Sequence, residues 1–300
     1  MGRYDTHAPH ARQDAVLTRV PCKTKKAEKC FPILFSVKGV GMSGAYIYQL
    51  LTGLGVGERC ALQMLSRVKM TAFDAGDVIW PKGGQVAAWT YIVSGLVGAS
   101  VPVQEGGCIQ VNIYGPRTWF GEEPLLNRYP SCLDYVCLTP VRAVCVPAVD
   151  ALAAFQDEPE FSRYMALLMA WRSRQHSEMI VLMKQGSPLL RVVMGLALFA
   201  EALYYNSSRP PTHGLEGTSV EIPVKQTVVA SVCGVSRSVF SEAVHHLEAA
   251  GWLRVNYGML ELRSLETWLR FSRKHRQARM NITKPTLEEL LVLMEEATRI

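Results

Sequence analysis

Between Val220 and Leu262 the sequence changes its periodicity several times in a short span, and few folds accommodate that order. Val220-Glu221-Ile222 alternates as a short strand does. Residues 224–232 suit a helix, Cys233-Gly234-Val235 interrupts it, and Ser236 opens a second helical run that ends near Gly251. Ala230 is small enough for a close helix approach, Gly234 supplies a left-handed turn, and the Ser236 hydroxyl is a good N-cap. In the second run Val239, Ala243, Val244 and Leu247 share a face predicted to point inward. That leaves Arg237, Ser238, Ser241, Glu242 and His245 on the outer face. Residues 252–255 and 259–262 then flank Asn256-Tyr257-Gly258, a hairpin signal. Each piece alone is weak, but their order predicts a winged helix-turn-helix. A helical hairpin used only for packing is the alternative.

Upstream the texture is different. Short β-prone runs at 78–80, 89–93, 96–103 and 108–114 alternate with Gly76-Asp77, Gly83-Gly84, Ser94-Gly95, Gly106-Gly107 and Gly115-Pro116. Glycine reaches positive φ and proline fixes φ, so these pairs mark turns. Runs at 136–137 and 141–146 add strands around Thr139-Pro140. Many short strands at close spacing predict an antiparallel barrel, roll or sandwich.

Helical pattern surrounds this β region. Residues 41–70 offer Leu50, Leu54, Leu62, Leu65 and Val68 for a buried face. From Asp150 the pattern is helical again, with Pro159 in a first turn and no Pro or Gly from there to Lys184. Phe161, Tyr164, Leu168, Trp171 and Leu182 fall roughly on one face, and Arg172, Gln175, His176 and Glu178 make its middle polar. Two readings stand side by side: a core-packed helix, or a parallel dimer helix with a partly polar seam. The expected organisation is a flexible basic arm over 1–40, a β-roll over 41–150, a long helix over 151–187, a winged helix-turn-helix over 188–265 and a helical extension over 266–300.

The chain resembles the CRP/FNR family of bacterial transcriptional regulators over about 57–265. Gly234-Val235-Ser236-Arg237 looks like that family's turn and recognition-helix start, and Leu247-Glu248-Ala249-Ala250-Gly251-Trp252-Leu253 like its run into the wing. Phe73-Asp74-Ala75-Gly76-Asp77-Val78-Ile79, Tyr91-Ile92-Val93-Ser94-Gly95 and Trp119-Phe120-Gly121-Glu122 resemble its β-roll signatures. The resemblance implies an α+β protein: a cyclic-nucleotide-binding-like antiparallel β-roll, a long dimerisation helix and a C-terminal winged helix-turn-helix. It also implies a homodimer, paired through the long helix, that regulates transcription on double-stranded DNA with RNA polymerase as a further partner. Arg237 is the expected base reader, since bidentate Arg–guanine pairing is the commonest specific contact. Ser236, Ser238, Ser241 and His245 can add base or phosphate contacts, and Lys225, Gln226 and Arg254 are placed for phosphates. Glu242 departs from the basic residue that relatives often carry there, so their usual operator is not carried over.

For an effector, the resemblance points to Phe120, Gly121, Glu122, Arg128, Ser131 and Cys132. Family members that bind a cyclic nucleotide hold its ribose with the glutamate and its phosphate with an arginine before a Ser or Thr. Glu122 fits the first role, but Pro130 precedes Ser131 and offers neither charge nor N–H. Cyclic AMP or GMP is therefore not the expected effector, whose identity stays open; a redox- or nucleotide-responsive protein whose helix-turn-helix serves protein contacts is the alternative. The eight cysteines include no tight CxxC pair, so no metal centre or cofactor is expected. A thiol switch through Cys108, Cys132, Cys137 or Cys145 competes with plain buried cysteine. No Ser/His/Asp order, phosphate loop or HExxH motif appears, so the chain reads as no enzyme. Lys38, Gln49, Thr52 and glycines break the apolar stretch 31–57, so a cytoplasmic protein without membrane attachment is expected.

Overall fold

Alternation of period two between residues 69 and 147 closes into two four-stranded sheets. The computed structural model describes residues 44–103, 107–205, 219–257, 259–277 and 286–298. The expected arm, 1–40, lies outside the described residues. One sheet runs β1 (Lys69–Phe73), β8 (Val141–Pro147), β3 (Ala88–Ser94), β6 (Trp119–Phe120). The other runs β2 (Val78–Trp80), β7 (Asp134–Cys137), β4 (Val97–Pro102), β5 (Cys108–Tyr114), and the described pairings are antiparallel. Between the sheets lie Ile92, Val97, Ala99, Tyr114, Phe120, Tyr135, Cys137 and Val141. The alternate residues Trp89, Tyr91, Trp119, Val144 and Val146 cover the outside of the first sheet. There they meet helices α1 (Gly44–Gly53), α2 (Glu58–Leu65), α4 (Ala148–Asp157) and the start of α5 (Pro159–Gln185); short α3 (Glu122–Asn127) follows β6.

Three details differ from the sequence reading. The helical pattern of 41–70 stops at Leu65, and residues 69–70 already belong to β1, which pairs with β8. Leu62 is exposed, while Ile47, Leu51, Ala61 and Met64 make the inward face. On α5 the buried residues are Phe161, Met165, Arg172 and Leu182, and Trp171 turns outward. The inward stripe thus takes an arginine where an indole was expected.

After α6 (Pro188–Tyr205) comes the predicted order: β9 (Val220–Ile222), α7 (Gln226–Val232), α8 (Arg237–Ala249), β10 (Leu253–Asn256) and β11 (Met259–Leu262). The strands form a sheet in the order β10-β11-β9. Leu196, Ile222, Val229, Phe240, Leu247, Leu260 and Trp268 fill its core, joined by Leu96 and Ile113 from the roll. The tail adds α9 (Leu265–Gln277) and α10 (Leu287–Thr298). The Thr286 amide donates to Glu289 Oε2 at 2.7 Å and the Glu289 amide to Thr286 Oγ1 at 3.2 Å, a reciprocal cap that starts α10. Leu290, Met294 and Ala297 are buried in the same core. The tail helices are therefore packed on the winged unit. Met294→Ala should destabilise the protein by roughly 2–5 kcal/mol in urea unfolding; an unchanged midpoint would contradict the docking.

Candidate nucleic-acid interface and the interior of the roll

Helices α7 and α8 bend by 103° about their turn, inside the range of about 90–120° usual for a helix-turn-helix. Gly234 makes the reversal with φ at +63°, a conformation that costs a side chain strain. The Gly234 amide donates to Ser231 O and the Val235 amide to Ala230 O, each at 3.1 Å, which closes α7. Ser236 caps α8 by accepting from the Val239 amide at 3.3 Å, and its Oγ lies 2.9 Å from Ser238 Oγ. Phe240, Ala243, Val244 and Leu247 bury the inner face. Val239, expected inward, is half-buried; Phe240 takes the deep position instead.

The other face of α8 presents Arg237, Ser238, Ser241, Glu242 and His245 to solvent, with Ser236 exposed at its start. Lys225 is the exposed N-cap of α7 and Gln226, next to it, is half-buried. Arg254 is exposed on β10, where it pairs across to Glu261 in register. Glu248 Oε1 accepts the Val255 amide at 2.8 Å and so ties the hairpin to α8. Tyr257, at the hairpin tip, is fully exposed. The predicted interface residues thus stand on one small unit of two helices and a hairpin, and include three cations and one carboxylate.

The interior of the roll is built around Glu122. Gly121, at φ +90°, turns the chain from β6 into α3, and a Cβ there would press on Val86. Glu122 follows with 2% exposure. Its Oε1 accepts from Arg172 Nη1 of α5, and Arg172 Nη2 donates to the Trp119 carbonyl. The same guanidinium lies 5.2 Å from the centre of the Tyr114 ring, a distance at which a cation is attracted to an aromatic face. Tyr114, Phe120 and Tyr135 pack on each other with centroids 5.1 to 6.0 Å apart. Burial pushes the Tyr114 and Tyr135 phenols well above their ordinary range. Glu122 Oε2 is buried with no hydrogen-bond partner among the described residues.

Of the six pocket residues expected from the sequence, Phe120, Gly121 and Glu122 meet here. Ser131 is buried but engaged in its own loop: its hydroxyl donates to Leu133 O at 2.6 Å, and its amide donates to Gly84 O at 2.8 Å. Arg128 and Cys132 are exposed. Arg172 is the residue the sequence reading did not place beside Glu122. Its signal was its register, one turn beyond Leu168 on the stripe begun by Phe161 and Met165.

Elsewhere the chemistry is quiet. Burial pushes the Cys137 and Cys233 thiols up to about 12 and Cys145 up to about 11, so these three resist forming thiolate. Cys108 and Cys132 are exposed. Among the described residues no group of three His, Cys, Asp or Glu side chains is placed to hold a metal ion. Among them, too, no single helix is long and apolar enough to cross a membrane. A cleft of about 60 Å³ opens between β5, α5, α6 and α7, edged by Val111, Met179, Phe199 and Val232. His176, on its rim, is pushed below its ordinary pKa by partial burial and then by Arg172 one turn away.

Comparison with known proteins agrees with this architecture. The model of the cyclic nucleotide-binding domain family matches residues 70–158. FixK2 from Bradyrhizobium japonicum has a similar structure, with a TM-score of 0.54 at 14% identity over 67% of this chain and 95% of that one. A transcriptional regulator of the CRP/FNR family from Eubacterium rectale gives 0.53 at 14% identity, over 74% and 99%. A CRP/FNR-family transcriptional regulator from Thermus thermophilus gives 0.49 at 23% identity, over 68% and 98%. No curated protein matches the sequence significantly. At these identities the likeness is one of fold: a cyclic nucleotide-binding roll followed by the helices and winged unit of the CRP/FNR regulators.

The Arg172–Glu122 pair generates a stability prediction. Removing one partner leaves a buried charge uncompensated, so Arg172→Ala should destabilise by about 3–5 kcal/mol, whereas Arg172→Met with Glu122→Gln should recover most of it. Denaturant titration of the three proteins checks this; equal stability of Arg172→Ala and wild type would contradict it.

Proposed function

We propose that the chain is a sequence-specific DNA-binding transcriptional regulator of the CRP/FNR type that acts as a homodimer. The observation that carries this reading is the Ser236-capped helix α8. Its buried face locks it into the winged unit, while Arg237, Ser238, Ser241 and His245 stand free along the other side. A helix so presented fits the major groove, where its first residues meet base edges. Arg237 reads guanine, Lys225 and Arg254 hold phosphates, and the hairpin tip at Tyr257 lies against the backbone. Glu242 accepts from a cytosine amine or orients Arg237; either role makes the preferred site differ from one read by a basic residue there.

The outward side of α5 supports self-association. Leu167, Trp171 and Val181 are exposed at spacings of four and ten residues, with Ala170 and Ser177 between them and the Arg174–Glu178 pair at 2.9 Å in the middle. This is an apolar seam with small residues and a charged register mark, which a second α5 would cover. The pairing places two copies of α8 on one side of the dimer, and RNA polymerase would then meet DNA-bound protein.

The roll keeps the domain but not the usual ligand. Glu122 Oε1 is taken by Arg172, the Ser131 hydroxyl is spent on Leu133, and Pro130 has no N–H to offer. An entering cyclic phosphate would meet no forked donor directly before Ser131, and Arg128 is exposed. Cyclic AMP at about 1 mM should therefore leave the unfolding temperature unchanged; a saturable rise would contradict this part of the reading.

Binding to an operator selected from random duplexes tests the whole. Arg237→Ala should weaken it by about 1–3 kcal/mol and relax the preference at one base position per half-site. Trp171→Glu should shift the protein to monomer in sedimentation and lose the two-fold site. Undiminished, equally specific binding by Arg237→Ala would sink the assignment.

A further inference from the structure

We infer that Arg191 is a positioning residue: it clamps the helix-turn-helix turn to the elbow between α5 and α6, and so sets how far apart the two recognition helices stand. The inference rests on the dimeric DNA-binding reading above and names the side chain that would fix its geometry. The long helix ends at Gln185, Gly186 is extended, and α6 begins at Pro188. Ser187 caps this start, its Oγ accepting the Leu190 amide at 3.2 Å and its carbonyl the Arg191 amide at 2.9 Å. Arg191 therefore leaves the first turn of α6, at the elbow itself.

Its guanidinium reaches the turn between α7 and α8. Arg191 Nη1 donates to the Gly234 carbonyl at 2.9 Å. A guanidinium–carbonyl bond of this kind is charge-assisted and stronger than a neutral one. Arg191 Nε is buried with no partner among the described residues, so the base of the fork lies in the seam while its Nη1–Gly234 bond is at the exposed edge. Two further contacts converge on the same turn. A Cβ on Gly234 would run into the thioether of Met183 from α5, and one on Gly195 of α6 would meet Cys233 Sγ at 2.5 Å. The Arg191 charge even offsets part of the burial that raises the Cys233 thiol. The turn is thus gripped by the end of α5, by Arg191 and by the α6 surface.

The far side of α7 is fixed as well, since the Gln110 amide of β5 donates to Ser231 Oγ at 2.9 Å. Only two residues separate Gly234 from Arg237, the first residue of α8. An angular change at the elbow therefore reaches the reading helix through Arg191 and Met183 as well as through the packing of α6 on α8. Base preference belongs to side chains on α8, which is internally rigid. Half-site separation belongs to the elbow, in both protomers at once. Loss of the clamp should loosen the second and spare the first.

The test compares wild type, Arg191→Met and Arg191→Lys on the selected operator and on versions with one base pair added to or removed from its centre. Wild type should lose about ten-fold or more in affinity on either change, Arg191→Met should lose less than about three-fold, and Arg191→Lys should return toward wild type. Base preference within each half-site should be the same in all three. Unaltered spacing discrimination in Arg191→Met would overturn the inference. A second arm needs no DNA: amide exchange of residues 233–239 should be about five-fold faster in Arg191→Met and slowed again by lysine. Unchanged exchange there overturns the clamp, as does a general acceleration across α6 and α8 that lysine does not reverse. A wild-type protein that selects no duplex overturns the regulatory reading instead, and the exchange arm still reports on the clamp by itself.

Discussion

A carboxylate and a guanidinium withdrawn from water together hold this molecule to one geometry. Glu122 and Arg172 are each almost fully buried, one at the turn after β6 and the other near the middle of α5. Neither is tolerable alone at such a place, because an unpaired buried charge costs several kcal/mol. Close packing of Phe161 and Met165 against the roll already resists sliding of α5. The ion pair, with the Trp119 carbonyl and the Tyr114 ring completing it, permits one register of the helix and penalises the rest.

Everything downstream inherits that register. The same helix leaves Leu167, Trp171 and Val181 exposed on its outer side, ends at the Gly186 elbow and carries Met183 against the turn before α8. The winged unit is held both at the elbow and on β5, and the roll lends Leu96 and Ile113 to its core. Inside the roll the pair engages one oxygen of the Glu122 carboxylate, and the loop at Ser131 is closed on itself.

The winged helix-turn-helix was legible because its determinants are local: Gly234 needs a positive φ, Ser236 needs an amide two or three residues on, and the hairpin needs its turn. Most strands of the roll were marked by glycine punctuation and alternation, though their order in the two sheets was not. What failed was what depends on partners far along the chain. β1 carries no pattern of its own and is a strand because β8 lies beside it. Trp171 and Arg172 are neighbours in sequence, and only the carboxylate of Glu122, fifty positions earlier, decides which turns inward. Phe240 was passed over for Val239 by one position, an ordinary phase error on a helix thirteen residues long.

Genome-wide mapping of DNA bound by the chain in its host tests the central claim most directly. The account predicts a short, two-fold symmetric motif whose half-sites lie about one helical turn, roughly 10 base pairs, apart from centre to centre. It also predicts that the motif disappears when Arg237 is replaced by alanine. Enrichment without a shared symmetric motif, or a motif that survives that replacement intact, would contradict it.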